Sequence, residues 1–166
     1  MKKLFLMVMV SSTMLFSCGE SDDSEKNENQ SSQKSSEKKE TPKSVDLVIE
    51  GTDDMKFNKK MLKAKASQEV TLTLKHVGKL EKNSMGHNWV LLKKGVDLDE
   101  FNMAAYEAGI ENDHIPESDD IIAHTSLIGG GEETSVTFTA PEPGKYTFVC
   151  SFPGHISTMK GSFIVN

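Results

Sequence analysis

Short runs of alternating apolar and polar residues recur along the chain from about residue 44, separated by glycine and proline turns. These runs cover residues 45–51, 69–78, 134–140, 145–150 and 161–166. A period of two residues turns one face of a strand toward a core and the other toward solvent. The pattern therefore predicts an all-β domain, a sandwich or barrel of antiparallel strands.

Two segments depart from this alternation. The run NWVLLKK at 88–94 is more continuously apolar, which predicts a strand that is buried on both faces. The segment VDLDEFNMAAYEAGI at 96–110 has helix-forming residues, and its apolar positions recur at three- and four-residue steps. We expect a helix here, inserted between strands.

The first residues have a different organisation. Residues 1–17 contain two lysines and then an apolar run too short to span a bilayer, which is typical of a secretory signal peptide. The sequence LFSC followed by glycine resembles a bacterial lipobox, which predicts lipidation of Cys18. Gly19 follows where an inner-membrane retention signal would have aspartate, so we expect a cell-envelope lipoprotein, periplasmic or surface-exposed, with the outer membrane preferred.

Composition then separates a tether from a domain. Residues 18–43 carry the expected lipidated Cys18 and a run of serine, lysine, glutamate and asparagine with no large apolar side chain, so we predict a disordered polar tether. Residues 44–166 are long enough for one domain with its own core. The formal net charge of −6 argues against nucleic acid as a partner.

Candidate chemistry lies in CSFPGHISTMKG at 150–161, which holds Cys150, His155 and Met159. If Cys18 carries lipid, Cys150 has no disulfide partner, and a lone thiol in an exported protein needs another role. Cysteine, histidine and methionine can all bind a soft or borderline metal. We therefore expect a metal site in this loop.

Two histidines, a cysteine and a long axial methionine form the ligand set of blue-copper electron-transfer sites. The loop lacks one histidine of this set. Four others are candidates by composition: His76, His87, His114 and His124. His87 has the best local setting, because SMGHNWVLL places it at a glycine-marked entry to a buried strand.

Several stretches resemble the azurins, the bacterial blue copper proteins of the cupredoxin family. The matching stretches run in the same order along the domain: SVDLVIEGTDDMKFN, NSMGHNWVLL, IIAHTSLIGGGE, SVTF and CSFPGHISTMKG. The resemblance implies a Greek-key β-sandwich of about eight strands with one external helix, holding one copper ion. Its implied metal ligands are Gly86 (through its carbonyl), His87, Cys150, His155 and Met159. The disulfide that azurins commonly carry near the start of the domain has no cysteines here.

The resemblance also implies roles around the metal. Asn88 would tie the two ligand loops together, and the backbone N–H of Phe152 would reach the Cys150 sulfur. An apolar patch for docking redox partners would surround the exposed edge of His155, formed by Met55, Met85, Pro153 and Gly154. His76 matches a histidine of the family that is not a ligand, and we expect it to be structural or weakly pH-responsive. We also expect His124 to be surface-exposed and His114 to lie in a solvated loop.

The expected function is one-electron transfer without substrate chemistry, so we do not expect an enzyme. Redox partners such as c-type cytochromes or copper or haem reductases would exchange electrons with it, and the lipid would attach it to a membrane. The main alternative is a copper chaperone or storage protein, although such proteins show several Met- or Cys-rich motifs. A multicopper enzyme would need a second copper centre, and a copper-free adhesion module would not need the Cys-His-Met loop. Ser126 and Ser135 have no nearby base arrangement that would make them nucleophiles, so no hydrolase pattern is indicated.

Overall fold

The computed structural model describes residues 43–166. The predicted signal peptide 1–17, the lipidation site Cys18 and the predicted tether, apart from its last residue Lys43, lie outside the described residues. No helix within residues 43–166 is long and apolar enough to cross a membrane.

Nine strands and two helices make up the described chain. The strands are β1 (Ser44–Thr52), β2 (Lys56–Phe57), β3 (Met61–Ala64), β4 (Glu69–His76), β5 (Val90–Leu92), β6 (Ile121–His124), β7 (Glu133–Thr139), β8 (Gly144–Val149) and β9 (Lys160–Val165); the helices are α1 (Lys82–Met85) and α2 (Leu98–Ala108), with a 3-10 turn at Ile110–Asn112. All five predicted alternating runs are strands, within one or two residues of the predicted bounds. The two-residue strand β2 and the short strands β3 and β6 were not predicted.

The strands form two sheets, ordered β2-β1-β4-β7 and β3-β9-β8-β5-β6. Consecutive strands repeatedly change sheet, which confirms the predicted β-sandwich. The expectation of an antiparallel arrangement is wrong for two pairs: β1 pairs with β4 in parallel, and β3 pairs with β9 in parallel. Local alternation does not encode strand direction, so these pairs were not predictable from it.

The core lies between the sheets. Ile49, Leu72 and Leu74 of the first sheet are buried in one cluster with Trp89 and Phe148 of the second. Aromatic rings cross the gap, and the ring centroids of Phe57 on β2 and Phe148 on β8 are 5.8 Å apart. This packing fixes the ends of the strands from which the candidate ligand loops emerge.

Strand β5 is buried on both faces, as predicted. Leu91 faces the inter-sheet core, whereas Val90 and Leu92 belong to a second cluster that contains Phe101 and Ala105 of α2. The predicted inserted helix is therefore confirmed, and it covers the outer face of the second sheet. Its first turn is capped by Asp97, whose carboxylate accepts from two backbone N–H groups.

Candidate metal centre

Three side chains with metal-binding atoms meet at one end of the sandwich: His87, Cys150 and His155. Their ligand atoms all lie within 4.8 Å of one another, and all three side chains are buried. The Cys150 sulfur is 3.6 Å from Nδ1 of His155. Within residues 43–166, no other histidine, cysteine, aspartate or glutamate side chains form such a group.

The backbone of His87 pairs with that of Ile128, and two glycines leave room for its side chain. Its N–H and C=O groups each pair with Ile128 at 2.9 Å. Gly86 precedes it, and a Cβ atom there would lie 2.5 Å from the carbonyl oxygen of Lys82. Gly51 of β1 lies against the imidazole, where a Cβ atom would be 2.6 Å from Cδ2 of His87. The two glycines leave the space that the ring and its loop occupy.

The loop from Cys150 to Met159 is closed by its own backbone. The N–H of Cys150 donates to the carbonyl of Met159 at 2.9 Å. This bond lies next to the pair of Val149 with Lys160, where the pairing of β8 with β9 ends. The N–H groups of His155 and Met159 donate to the carbonyls of Phe152 (3.0 Å) and His155 (2.7 Å). The Met159 side chain is fully buried in the same apolar cluster as Cys150. The loop thus brings its three candidate donors to the same end of the sandwich.

The surroundings of His87 present acceptors on both sides of the ring. Nε2 lies 2.9 Å from the carbonyl oxygen of Thr52, and Nδ1 lies 2.9 Å from that of Gly86. A carbonyl oxygen only accepts, and a neutral imidazole has one N–H. When Nε2–H donates to Thr52, the Nδ1 lone pair faces the Gly86 oxygen, which is 3.9 Å from the Cys150 sulfur. In this tautomer the Nδ1 lone pair, the Gly86 oxygen and the Cys150 sulfur lie close together, an arrangement that a cation stabilises.

The donor types in this cluster fit copper. Two imidazoles, one thiol and a buried thioether are soft or borderline ligands, unlike the oxygen-rich sets that bind calcium or magnesium. A thiolate with two histidines in a trigonal set is typical of blue-copper sites. The residues present therefore suit a copper ion.

Burial shifts the pKa of each donor in the direction that favours its uncharged form. It lowers the pKa of His155 to about 4, lowers that of His87, and raises the pKa of the Cys150 thiol to about 11. Backbone hydrogen bonds from Asn88 and Phe152 to the Cys150 sulfur oppose the rise. At neutral pH the metal-free site thus holds two neutral imidazoles and one thiol, and a metal that binds the sulfur must displace the thiol proton.

Polar and aromatic neighbours support the ligand loops. The Asn88 side chain is buried and hydrogen-bonds to Ser151, and its Nδ2 also donates to the carbonyl of Asp113 at 2.8 Å. The ring of Phe152 lies against that of His155, with centroids 4.7 Å apart. These contacts hold the ligand loops and the His155 ring in place, although Asn88, Ser151 and Phe152 are not candidate donors themselves.

The remaining histidines are not part of the donor group. His76 is buried and its ring stacks on that of His87, with centroids 4.1 Å apart and planes at 11°. Its Nε2 lies 2.8 Å from the Met85 carbonyl, and its Nδ1 accepts from the Gly78 N–H. His124 is exposed on β6.

The expectation that His114 lies in a solvated loop is wrong. It is only 7% exposed, because its ring packs edge-on against Phe152 at 5.3 Å. Residues 109–115 fold back from the end of α2 through several backbone hydrogen bonds, which bring this histidine onto the ligand loop. Nothing in the local polar sequence indicated this packing.

The four residues of the expected docking patch lie partly at the surface. Met55 is 37% exposed and Gly154 is exposed, whereas Met85 and Pro153 are half-buried. The expectation of an exposed edge of His155 is wrong, since this residue is only 2% exposed. A partner at this surface would therefore contact the residues that cover the imidazole and not the imidazole itself.

Two residues of the site were missed by sequence reasoning. Thr52 contributes the carbonyl that orients His87, and Ser151 contributes the partner of Asn88. Ser151 could have been found, because a polar residue stands directly after the candidate cysteine in an otherwise apolar stretch. Thr52 gave no such signal, since it acts only through its backbone.

Comparison with known proteins gives a consistent result. The family description "copper binding proteins, plastocyanin/azurin family" matches residues 43–166. The chain is 49% identical over 124 residues to azurin of Alcaligenes faecalis, covering 70% of this chain and 94% of that protein. It is 45% identical over 124 residues to azurin of Bordetella pertussis, covering 72% of this chain and 81% of that protein.

Two solved structures have a similar fold, and one of them is described as a blue copper protein. Auracyanin A, a blue copper protein from Chloroflexus aurantiacus, matches with a TM-score of 0.69 and 33% identity, over 74% of this chain and 99% of that chain. Dithionite-reduced auracyanin from Roseiflexus castenholzii matches with a TM-score of 0.66 and 32% identity, over 73% of this chain and 96% of that chain.

Proposed function

The chain belongs to the plastocyanin/azurin family of copper-binding proteins, and on this premise we propose that it is a one-electron carrier rather than an enzyme. We propose that His87, Cys150 and His155 hold one copper ion. The observation that carries the proposal is the convergence of these three buried donors within 4.8 Å. When bound, copper supplies a one-electron couple between Cu(I) and Cu(II).

We propose that Gly86 and Met159 would supply two further, weaker donors to the copper ion. The Gly86 carbonyl lies 3.9 Å from the Cys150 sulfur and 2.9 Å from Nδ1 of His87, so its oxygen would be close enough to contact a metal held by these residues. The thioether side chain of Met159 is fully buried in the same apolar cluster as Cys150, and its sulfur would be a weak donor to the metal. We propose that Asn88 and the backbone N–H of Phe152 keep this set in place.

The enclosure of the donors favours electron transfer over substrate chemistry. His87, Cys150 and Met159 are fully buried and His155 is 2% exposed. A catalytic metal keeps one coordination position open to water or substrate. Residues that fill the space on every side instead limit rearrangement of the ligands and exclude water, which suits repeated oxidation and reduction.

The proposed electron exit is the His155 side of the site. The patch of Met55, Met85, Pro153 and Gly154 would form the contact with redox partners, for which we propose c-type cytochromes or copper or haem reductases. A small apolar surface suits a brief encounter, because such interfaces bury little area.

We also propose that the protein works in the cell envelope, attached to a membrane through lipid on Cys18. The lipobox-like sequence and the polar composition of residues 18–43 support this anchor. Strand β1 starts at Ser44 and ends at Thr52, whose carbonyl contacts His87. The described chain therefore enters the domain at the end of β1 that is opposite the donors.

Voltammetry combined with a copper-competition assay tests the electron-carrier role. We expect the copper-loaded protein to cycle reversibly and to keep its copper when mixed with an excess of an apo copper-binding protein. A chaperone must release its cargo to an acceptor, so rapid transfer of Cu(I) would favour that alternative. Irreversible voltammetry with loss of copper on reduction would also contradict the proposal.

A further inference from the structure

Charge is distributed very unevenly over the domain. Residues 97–120 contain nine aspartates and glutamates and no lysine or arginine. The rest of the described chain contains thirteen lysines and nine acidic residues. One segment, made of α2 and the loop after it, therefore carries the negative charge of a domain that is otherwise net positive.

The carboxylates of this segment are available to a partner. Eight of the nine are exposed, namely Asp97, Asp99, Glu100, Glu107, Glu111, Glu117, Asp119 and Asp120. Among residues 43–166 none of these eight forms an ion pair, whereas the ninth, Asp113, pairs with Lys82 at 2.8 Å. Because no lysine of the described residues forms an ion pair with these eight carboxylates, they produce a negative electrostatic field on this side of the domain.

The acidic segment borders an apolar groove beside the ligand loop, here called the α2 groove. Its lining consists of Asn102, Met103, Tyr106, Glu107, Pro153 and Gly154. Met103 and Tyr106 are 65% and 69% exposed, unusually high for large apolar and aromatic side chains on a helix whose other face is buried. Pro153 and Gly154 directly precede His155, so the groove reaches the proposed exit for the electron.

Helix geometry places carboxylates at the rim of the groove. Asp99, Met103 and Tyr106 follow one another at four- and three-residue steps, which puts them on one face of α2. Glu107 itself lines the groove, and Glu111 lies in the 3-10 turn that follows α2. The surface is therefore an apolar floor with an acidic border.

We propose that the α2 groove extends the docking surface and receives a redox protein whose own docking face is rich in lysine or arginine. This inference rests on the proposed electron-carrier function and names the kind of partner. The carboxylates would steer a positive face toward the site, and Met103 and Tyr106 would make the short-range apolar contact. A second copy docked through the same face would bring acid against acid, and an anionic membrane surface would be repelled.

The rate of electron exchange with a basic c-type cytochrome, one with lysines around its haem edge, tests the proposal. Reduced, copper-loaded full-length protein is mixed with the ferric cytochrome in a stopped-flow instrument at ionic strengths from about 10 to about 300 mM. We expect the second-order rate constant to fall as ionic strength rises. In the triple variant Asp99→Asn, Glu107→Gln, Glu111→Gln we expect it to be about tenfold lower at low salt and almost unchanged at high salt.

A matched control removes the same charge elsewhere. Asp46, Glu69 and Glu142 are exposed at the end of the sandwich opposite the donors. Their triple replacement by Asn, Gln and Gln changes the net charge by the same amount, and we expect a rate within about twofold of wild type. Tyr106→Ser, which removes part of the apolar floor, should slow exchange at every ionic strength.

Other outcomes would overturn the inference. Equal slowing in both triple variants would show an effect of net charge alone, and a rate independent of ionic strength would exclude steering. Dimerisation at low salt that the α2 triple variant abolishes would identify a second copy as the occupant. Each of these results leaves reversible voltammetry intact, so they are distinguishable from failure of the electron-carrier proposal.

Discussion

The side chain of Asn88 makes two hydrogen bonds to Ser151 and so joins the two loops that carry the proposed ligands. Its Oδ1 accepts from the Ser151 N–H at 2.8 Å, and its Nδ2 donates to the Ser151 hydroxyl at 2.7 Å. Asn88 follows His87 and Ser151 follows Cys150. The pair therefore sets the separation of an imidazole and a thiol that come from distant parts of the chain.

Removing this link should destabilise the protein and loosen the metal centre. We expect Asn88→Ala to lower the free energy of unfolding of the metal-free protein by about 2 to 4 kcal/mol, because buried Ser151 and half-buried Asp113 lose their hydrogen bonds to Asn88. Urea denaturation measures this change. Asn112→Ala is the control, since exposed Asn112 makes one bond, to the Ala108 carbonyl, and should cost less than about 1 kcal/mol. Equal losses in the two variants would remove Asn88 from this role.

The histidines should separate by their effect on copper. We expect His87→Ala to lose the visible spectrum of the Cu(II) protein, or to shift it when imidazole is added, because the vacated position admits an external ligand. His124→Ala should leave the spectrum as it is, since His124 is exposed and outside the donor group. The assignment of His87 would be wrong if the two variants behaved alike.

Copper uptake should release about one proton at pH 7. The pKa of His155 lies near 4 and that of His87 is lowered, so both imidazoles are already neutral, whereas the Cys150 thiol, with a pKa of about 11, is protonated. The apparent affinity should therefore rise about tenfold per pH unit around neutrality. Titration calorimetry in two buffers of different ionisation enthalpy counts the protons. Release of none would mean that the thiolate exists before the metal arrives.

Much of the fold was predictable because most of its strands have one exposed face. Along β4 buried residues alternate with more exposed ones, and helix α2 buries Phe101 and Ala105 at a four-residue step. The short strands β2, β3 and β6 offer only two to four residues, too few for a period to be recognised. Strand direction was not predictable either, because the parallel pairing of β1 with β4 depends on contacts between distant residues.

For the site as well, the residues that lie close together in the sequence were predictable, and those that depend on long-range packing were not. Cys150, His155 and Met159 were readable because one short loop holds them. His87 lies more than sixty residues earlier, and four histidines were candidates until a family resemblance selected one. The burial of His114 and His155 depends on how α2 and the ligand loop pack together, which no local pattern records.

The proposed anchor has its own test. We expect cells grown with a fatty-acid probe to label the wild-type protein, and Cys18→Ser to abolish the label, because only the cysteine sulfur of a lipobox accepts the lipid. Fractionation of inner and outer membranes then gives the location. An unlabelled wild-type protein in the soluble fraction would contradict the anchor and leave the copper site unaffected.

Absorption spectroscopy of the Cu(II)-loaded protein tests the central claim most directly, because it detects a bond between the copper and the Cys150 sulfur. We expect an intense visible charge-transfer band in the wild type and in Cys18→Ser, which removes the only other cysteine. Cys150→Ser should lose the band and still fold, since the sandwich core does not depend on the metal. Persistence of the band in Cys150→Ser, or its absence from the copper-loaded wild type, would contradict the account.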